Sequence, residues 1–324
     1  MAADKLVIEI IVKKIGFRDM KMFAKGKKSA FTLVELLAVL GIIAILVALL
    51  IPAVTAVRKM ARETQQKAQL TTIEMGLTAF KNDYGDYPPS SWQVDNPDFT
   101  SYSGAQMLAE ALVGWDLMGF HPKSAWRSDG KDKDNGDTAY TGATTGSQAD
   151  RERNLKERRG PYLELATANA FRLGNTTAKP GLFNDTGGLA KDTYVLCDVF
   201  AVRRITLAAG NIVKAGTPIL YYRANTSSKN LNDPSIDLRI YNAYDNFYFI
   251  SLGSLTADGT AGKNHPLGLG SDPLENLYKF DYQGGIRDSK VEAPMRWPHR
   301  PDSYILISAG VDGLYGTSDD IRNF

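Results

Sequence analysis

One segment constrains this chain more than any other. Leu36 to Val57 is a run of 22 uncharged residues, and Glu35 stands immediately before it as the only charge between Phe31 and Val57. As helix the run is roughly 33 Å long at about 1.5 Å per residue, enough to cross a hydrocarbon core of about 30 Å. Gly41 and Pro52 are its only interruptions, and membrane helices tolerate both residue types. A carboxylate costs about 2.5–3.5 kcal/mol at mid-bilayer and less near an interface. A chain that keeps Glu35 at this place is expected to use it.

Charge sets the expected topology. Residues 1–30 hold eight Lys or Arg against Asp4, Glu9 and Asp19, a net of +5, and the whole chain carries +2. The positive-inside rule places this end in the cytoplasm and the remainder across the membrane. Subtracting +5 from +2 leaves residues 31–324 at −3, so the overall basic balance gives no reason to expect a nucleic-acid partner.

Lys27-Lys-Ser-Ala-Phe-Thr-Leu-Val-Glu35, running into the apolar stretch, resembles the type IV prepilin class, which includes pilins and the pseudopilins of type II secretion. The resemblance implies that a prepilin peptidase removes a basic leader, residues 1–30, by cutting between Ala30 and Phe31, and methylates the Phe31 amine. The class usually has Gly where this chain has Ala30. It also implies that Glu35 pairs with the Phe31 amine of a neighbouring subunit, fixing register in an apolar filament core where either charge alone is costly. Leu6 to Val12 is unusually apolar for a leader, and a start at Met20 or Met22 instead of Met1 gives a shorter, wholly basic one. Two other readings stay open: a plain membrane anchor, and a secretory signal cut after Val54-Thr55-Ala56. The apolar run exceeds the usual 7–15 residues of a signal.

The helix is expected to continue past the membrane. Residues 31–57 form its membrane and assembly half, and 58–82 an amphipathic half packed on a globular domain. Val57, Ala61, Thr64, Ala68, Thr71 and Met75 recur at helical spacing, and Ile73, Leu77 and Phe80 form a second row. Gly85 and Pro88-Pro89 end it. Tyr84-Gly-Asp-Tyr-Pro88 resembles the closing sequence of the helix in the major, G-type pseudopilin of type II secretion.

Residues 83–324 have ordinary apolar content and balanced charge, and should fold as an extracytoplasmic α+β domain. Gly104–Phe120 reads as an amphipathic helix. Tyr194–Val202, Ile219–Arg223, Phe247–Leu252 and Ser303–Ser308 read as strands of an antiparallel sheet against the long helix. This α+β arrangement is pilin-like, with 90–200 as an insertion. Asp129 to Asp137 lacks the register of a calcium loop and reads as a solvated loop. Arg151–Arg159 reads as a hydrated helix start. Cys197 is alone, so no intramolecular disulfide forms.

The second informative segment is 308–321, where Asp312, Asp319 and Asp320 converge through a Gly-rich turn after a strand. It resembles the calcium loop of the major pseudopilin. Carried over, Asp312, Asp319 and Asp320 are side-chain ligands, supplemented by carbonyls near Ala309 and Thr317, and calcium is a structural cofactor. The alternative is a surface turn whose Asp side chains cap its own amides. His121, His265 and His299 are far apart, and no nucleophile elbow, phosphate loop or dinucleotide fingerprint is present. No enzyme is expected.

The resemblance implies a structural subunit, stored in the inner membrane with its leader cytoplasmic and its domain periplasmic. It polymerises with itself into a type II secretion pseudopilus alongside the secretion platform and minor pseudopilins. The alternative is a pilin-like surface subunit acting in adhesion or uptake.

Overall fold

The computed structural model describes residues 32–90, 102–132, 134, 136, 138–140, 147–177, 179–207, 210–228, 240–268, 277, 285–288, 290 and 297–324. Ala30 and Phe31 lie outside the described residues. The chain divides into two units, Met1–Ala56 and Val57–Phe324.

Helix α1 spans Leu33–Tyr84, 52 residues, and is continuous through Pro52. Pro52 has no amide hydrogen to give the Ala48 carbonyl, so one rung of the ladder is missing. Within the first unit every α1 residue from Leu33 to Ala56 is exposed.

In the second unit the buried face of α1 is Gln66, Leu70, Ile73, Gly76, Leu77 and Phe80. The Ile73, Leu77 and Phe80 row therefore packs as expected. The other row, Val57 to Met75, does not: its residues are exposed. Periodicity alone cannot say which of two uncharged rows faces inward. Two glutamines settle it, because their amides bond the backbone of Cys197 and Val199 opposite. Gln66 Oε1 accepts from Val199 N at 2.9 Å and Gln69 Nε2 donates to the Cys197 carbonyl at 2.8 Å. Gly76 lets the next helix approach; a Cβ there would meet Leu112 Cδ2 at 3.1 Å.

That next helix, α2 (Gly104–Val113), starts on a Ser103–Gln106 capping box and buries all ten of its residues. Helix α3 (Gln148–Glu157) buries none, matching the hydrated reading of that stretch. Strands β1 (Ala170–Arg172) and β2 (Tyr194–Leu196) pair antiparallel, as do β3 (Arg203–Thr206) and β4 (Ile212–Ala215). A three-stranded antiparallel sheet is ordered β5 (Leu220–Arg223), β6 (Tyr304–Ser308), β7 (Ile321–Arg322).

The β5–β6 pair is buried on both faces. Tyr221, Tyr304 and Leu306 join α1 and α2 in one apolar cluster, while Leu220, Tyr222, Ile305 and Ile307 line a second. Two covered faces explain why β6 reads as an unbroken apolar run instead of alternating. The run Phe247–Leu252 is a helix, α4, not the expected strand. It follows directly on a 3-10 turn at Ala243–Asn246, and Asn246 accepts from Ala105 N and donates to the Tyr221 carbonyl, pinning the chain in a turn where a strand would have to leave. The expected strand Tyr194–Val202 stops at Leu196 because Asp198 folds its side chain back onto the Phe200 and Thr217 amides.

Candidate functional site

The start of α1 is built by two side chains. Thr32 Oγ1 accepts from Glu35 N at 3.2 Å, and Glu35 Oε2 accepts from Thr32 N at 3.0 Å and Thr32 Oγ1 at 2.9 Å. This is a capping box, Thr-x-x-Glu, which satisfies amides that a helix start leaves orphaned. The pattern was legible as Thr32-Leu-Val-Glu35. Glu35 thus has a local structural use, and both of its acceptor bonds fall on one oxygen.

Beyond Val57 one exposed arc of α1 is uncharged, while Arg58, Lys59, Arg62 and Lys67 are exposed elsewhere around the helix. At 100° per residue, Val57, Met60, Ala61, Thr64, Ala68, Thr71, Met75 and Thr78 fall within an arc of about 100°, opposite the buried face. Met60 and Met75 are 65% and 61% exposed. The hydroxyls of Thr64, Thr71 and Thr78 bond the carbonyls of Met60, Lys67 and Glu74 one turn earlier. Their hydroxyl protons are thereby spent inside the helix, leaving only acceptor lone pairs, and the face offers chiefly methyl and thioether groups to its surroundings. Along one edge it borders a cleft of about 360 Å³ lined by Ala68, Thr72, Leu163, Ala168 and Val199.

The C-terminal loop closes on Asp319. Its Oδ2 accepts from Val311 N at 2.7 Å and Asp312 N at 3.0 Å, and its Oδ1 from Thr317 Oγ1 at 2.6 Å. Gly310, at φ +67°, lets the chain pass the Asp319 carbonyl, which a Cβ would strike at 2.2 Å. Asp312 Oδ1 takes Leu314 N at 2.8 Å, and Asp320 Oδ2 takes Gly316 N at 2.9 Å. Asp320 Oδ1 is buried without a partner, and burial raises its pKa to about 7. Burial and the nearby charge of Asp319 also raise Asp312, against the Leu314 amide. Burial pushes Asp319 up as well, but Thr317 and the two amides outweigh it and hold it low.

Among the described residues, no group of three or more His, Cys, Asp or Glu is arranged to hold a metal. Asp312, Asp319 and Asp320 share one loop, yet each caps a different set of its amides, as in the surface-turn alternative. What speaks for a cation is the unpartnered Asp320 oxygen and the mutual repulsion of Asp312 and Asp319.

The histidines hold the fold. His265 Nδ1 accepts from Tyr315 N, and burial lowers its pKa to about 4. His121 Nδ1 accepts from Lys123 N, and His299 stacks on Phe324. Sequence reasoning missed a buried polar hub at Glu110, which accepts from Tyr102, Tyr140 and Ser124 hydroxyls at 2.6, 2.6 and 2.7 Å. A lone Glu in an Ala-rich helix carries no sequence signal of such a role.

Residues 25–51 match the family described as the prokaryotic N-terminal methylation motif. The N-terminal segment is type IV prepilin-like. The chain is also similar to the type IV wide pilus major component PilA4 of Thermus thermophilus, 42% identical over 82 residues. That match covers 25% of this chain and 50% of the relative, so the chain spans about half the length of the curated relative it matches. No solved structure matches. A long apolar helix followed by antiparallel sheets gives the chain an α+β, pilin-like fold, with a candidate membrane span in α1.

Proposed function

We propose that this prepilin-like chain is a filament subunit, held in the inner membrane with its leader cytoplasmic and its domain periplasmic, processed between Ala30 and Phe31, and polymerised through α1. The observation that carries this reading is the uncharged, exposed face from Val57 to Thr78. It runs for about six turns at 3.6 residues per turn, directly continuing a segment apolar all round. A helix face of this kind in water lacks the charges that keep a surface solvated. An apolar helix from a second copy covers it, and a head-to-tail contact of that kind repeats into a filament instead of closing. Glu35 keeps one oxygen beyond its capping box to accept the neighbour's Phe31 amine.

Met60→Asp combined with Met75→Asp is expected to abolish filaments while leaving the domain's melting temperature within a degree or two, because both side chains are exposed. Electron microscopy beside thermal unfolding checks this; filaments of normal length from the double variant would remove the reading.

Two settings for the filament have separate support. The Tyr84–Pro88 helix closure and the Gly-Asp-rich loop favour a type II secretion pseudopilus, acting with the secretion platform and minor pseudopilins. The similarity to a pilus component of Thermus thermophilus favours a surface pilus acting in adhesion or uptake. Deleting the subunit blocks export of folded proteins in the first case and removes surface fibres in the second.

Calcium belongs to the same proposal. Asp312, Asp319 and Asp320, with loop carbonyls, are the residues that would hold it, and the ion would take the unpartnered Asp320 oxygen and neutralise the repulsion of Asp312 and Asp319. Millimolar calcium is expected to raise the melting temperature of the wild type and not of Asp312→Asn. Equal shifts in both, or none in either, would leave the loop as a self-capped turn.

A further inference from the structure

The first charges after the apolar run are Arg58, Lys59 and Arg62, three cations within five residues. All three are exposed. Among the described residues, neither Arg58 nor Arg62 has a carboxylate within ion-pair distance, and Lys59 has only the loose, solvent-exposed contact to Glu63 at 3.8 Å. By helical angle the three lie on the side of α1 that, one turn later, carries Gln66 and Leu70 into the domain, opposite the uncharged face. The cations and the apolar stripe are thus sorted to different faces, which a merely solubilising set of charges does not require.

We propose that Arg58, Lys59 and Arg62 form a collar that binds the phosphates of anionic phospholipids in the leaflet on the domain side. This rests on α1 spanning a membrane. The chemistry fits that partner. The collar begins at the residue where the run stops being apolar, so long basic side chains meet the headgroups by extending along the helix. Guanidinium groups take phosphate oxygens in pairs, which ammonium groups cannot do. Each cation near an anionic surface contributes roughly a fivefold preference.

The collar also gives the processed subunit a property that its precursor lacks. Residues 1–30 carry eight cations at the other end of the span. Once they are removed, Arg58, Lys59 and Arg62 are the dominant cationic flank. Processing therefore hands lipid anchorage from one leaflet to the other.

The test uses the full-length chain, processed by its peptidase, in detergent micelles supplied with equal phosphatidylglycerol and phosphatidylcholine. Native mass spectrometry reads which lipid stays bound, and vesicle flotation reads membrane insertion. Wild type is expected to retain phosphatidylglycerol at least tenfold over phosphatidylcholine, with the preference fading at high salt. Arg58→Ser, Lys59→Ser and Arg62→Ser together should lose it while still inserting. Arg58→Lys with Arg62→Lys should keep part of it. Insertion without any lipid preference in the wild type, or an unchanged preference in the triple Ser variant, overturns the collar and leaves the filament reading intact. A chain that fails to insert overturns the collar together with the membrane reading.

Discussion

Glu110→Ala is expected to destabilise the second unit by about 3–5 kcal/mol, a large share of the roughly 5–15 kcal/mol that holds a domain folded. Glu110 is 2% exposed on α2, whose every residue is buried. Its two oxygens gather hydroxyl donors from three separate places in the chain, Tyr102, Ser124 and Tyr140. Burial raises its pKa, and the three donors act against that rise. Removing the carboxylate strands three buried hydroxyls at once, each costing about 1–3 kcal/mol before any relaxation. Tyr102→Phe, which removes one donor and leaves two, should cost only about 1 kcal/mol. Urea unfolding of both variants measures the difference. Equal losses would mean that the hub is a packing site and that the hydrogen bonds contribute little.

The second large effect concerns pH. Asp198 is 2% exposed, accepts from Phe200 N and Thr217 N at 3.1 Å each, and takes the Ser308 hydroxyl at 3.2 Å. Among the described residues no cation offsets its burial, which raises its pKa to about 8. Burial likewise raises Asp245 to about 7, with one oxygen on Ser90 and the other without a partner. At these two sites the folded chain therefore binds more protons than the unfolded one between about pH 4 and pH 8, while His265, held neutral by burial, acts in the opposite sense below about pH 6.5. The stability the two carboxyls contribute is complete below about pH 4 and is lost as pH rises through their folded values. The melting temperature should fall most clearly between about pH 6.5 and pH 8, above the window in which His265 offsets the two carboxyls. Asp198→Asn, neutral at every pH, keeps an oxygen for the two amides and should recover about 3–5 kcal/mol at pH 8 and only about 1–2 kcal/mol at pH 5. A variant whose pH profile runs parallel to the wild type would show that Asp198 is already charged in the native state.

The sequence was most legible where one physical requirement dominated. The apolar run and the helix formers after it predict a helix of about fifty residues, and Gly85 with Pro88-Pro89 predicts where it ends; α1 runs Leu33–Tyr84. The core strands β5 and β6 lie within the apolar runs expected for them. Legibility failed where tertiary hydrogen bonds chose between equal local options. Gln66 is polar and entirely buried because the Val199 amide awaits it, and that partner is 133 residues away. Phe247–Leu252 is a short apolar run, for which strand and helix look alike in sequence. The candidate site was read in part. Glu35 stood out by its charge, while its capping box with Thr32 lay in plain view as a spacing. The exposed face of α1 was visible as a row of residues but was expected to turn toward the domain.

The central claim is that this chain is processed and assembled as a prepilin, and the mature N-terminus tests it most directly. Mass spectrometry of the protein isolated from membranes should find a chain that begins at Phe31 and carries one methyl group on its amine. An uncut N-terminus, or one that begins after Ala56, would contradict the claim, since either leaves no free Phe31 amine for a neighbouring Glu35 to bind.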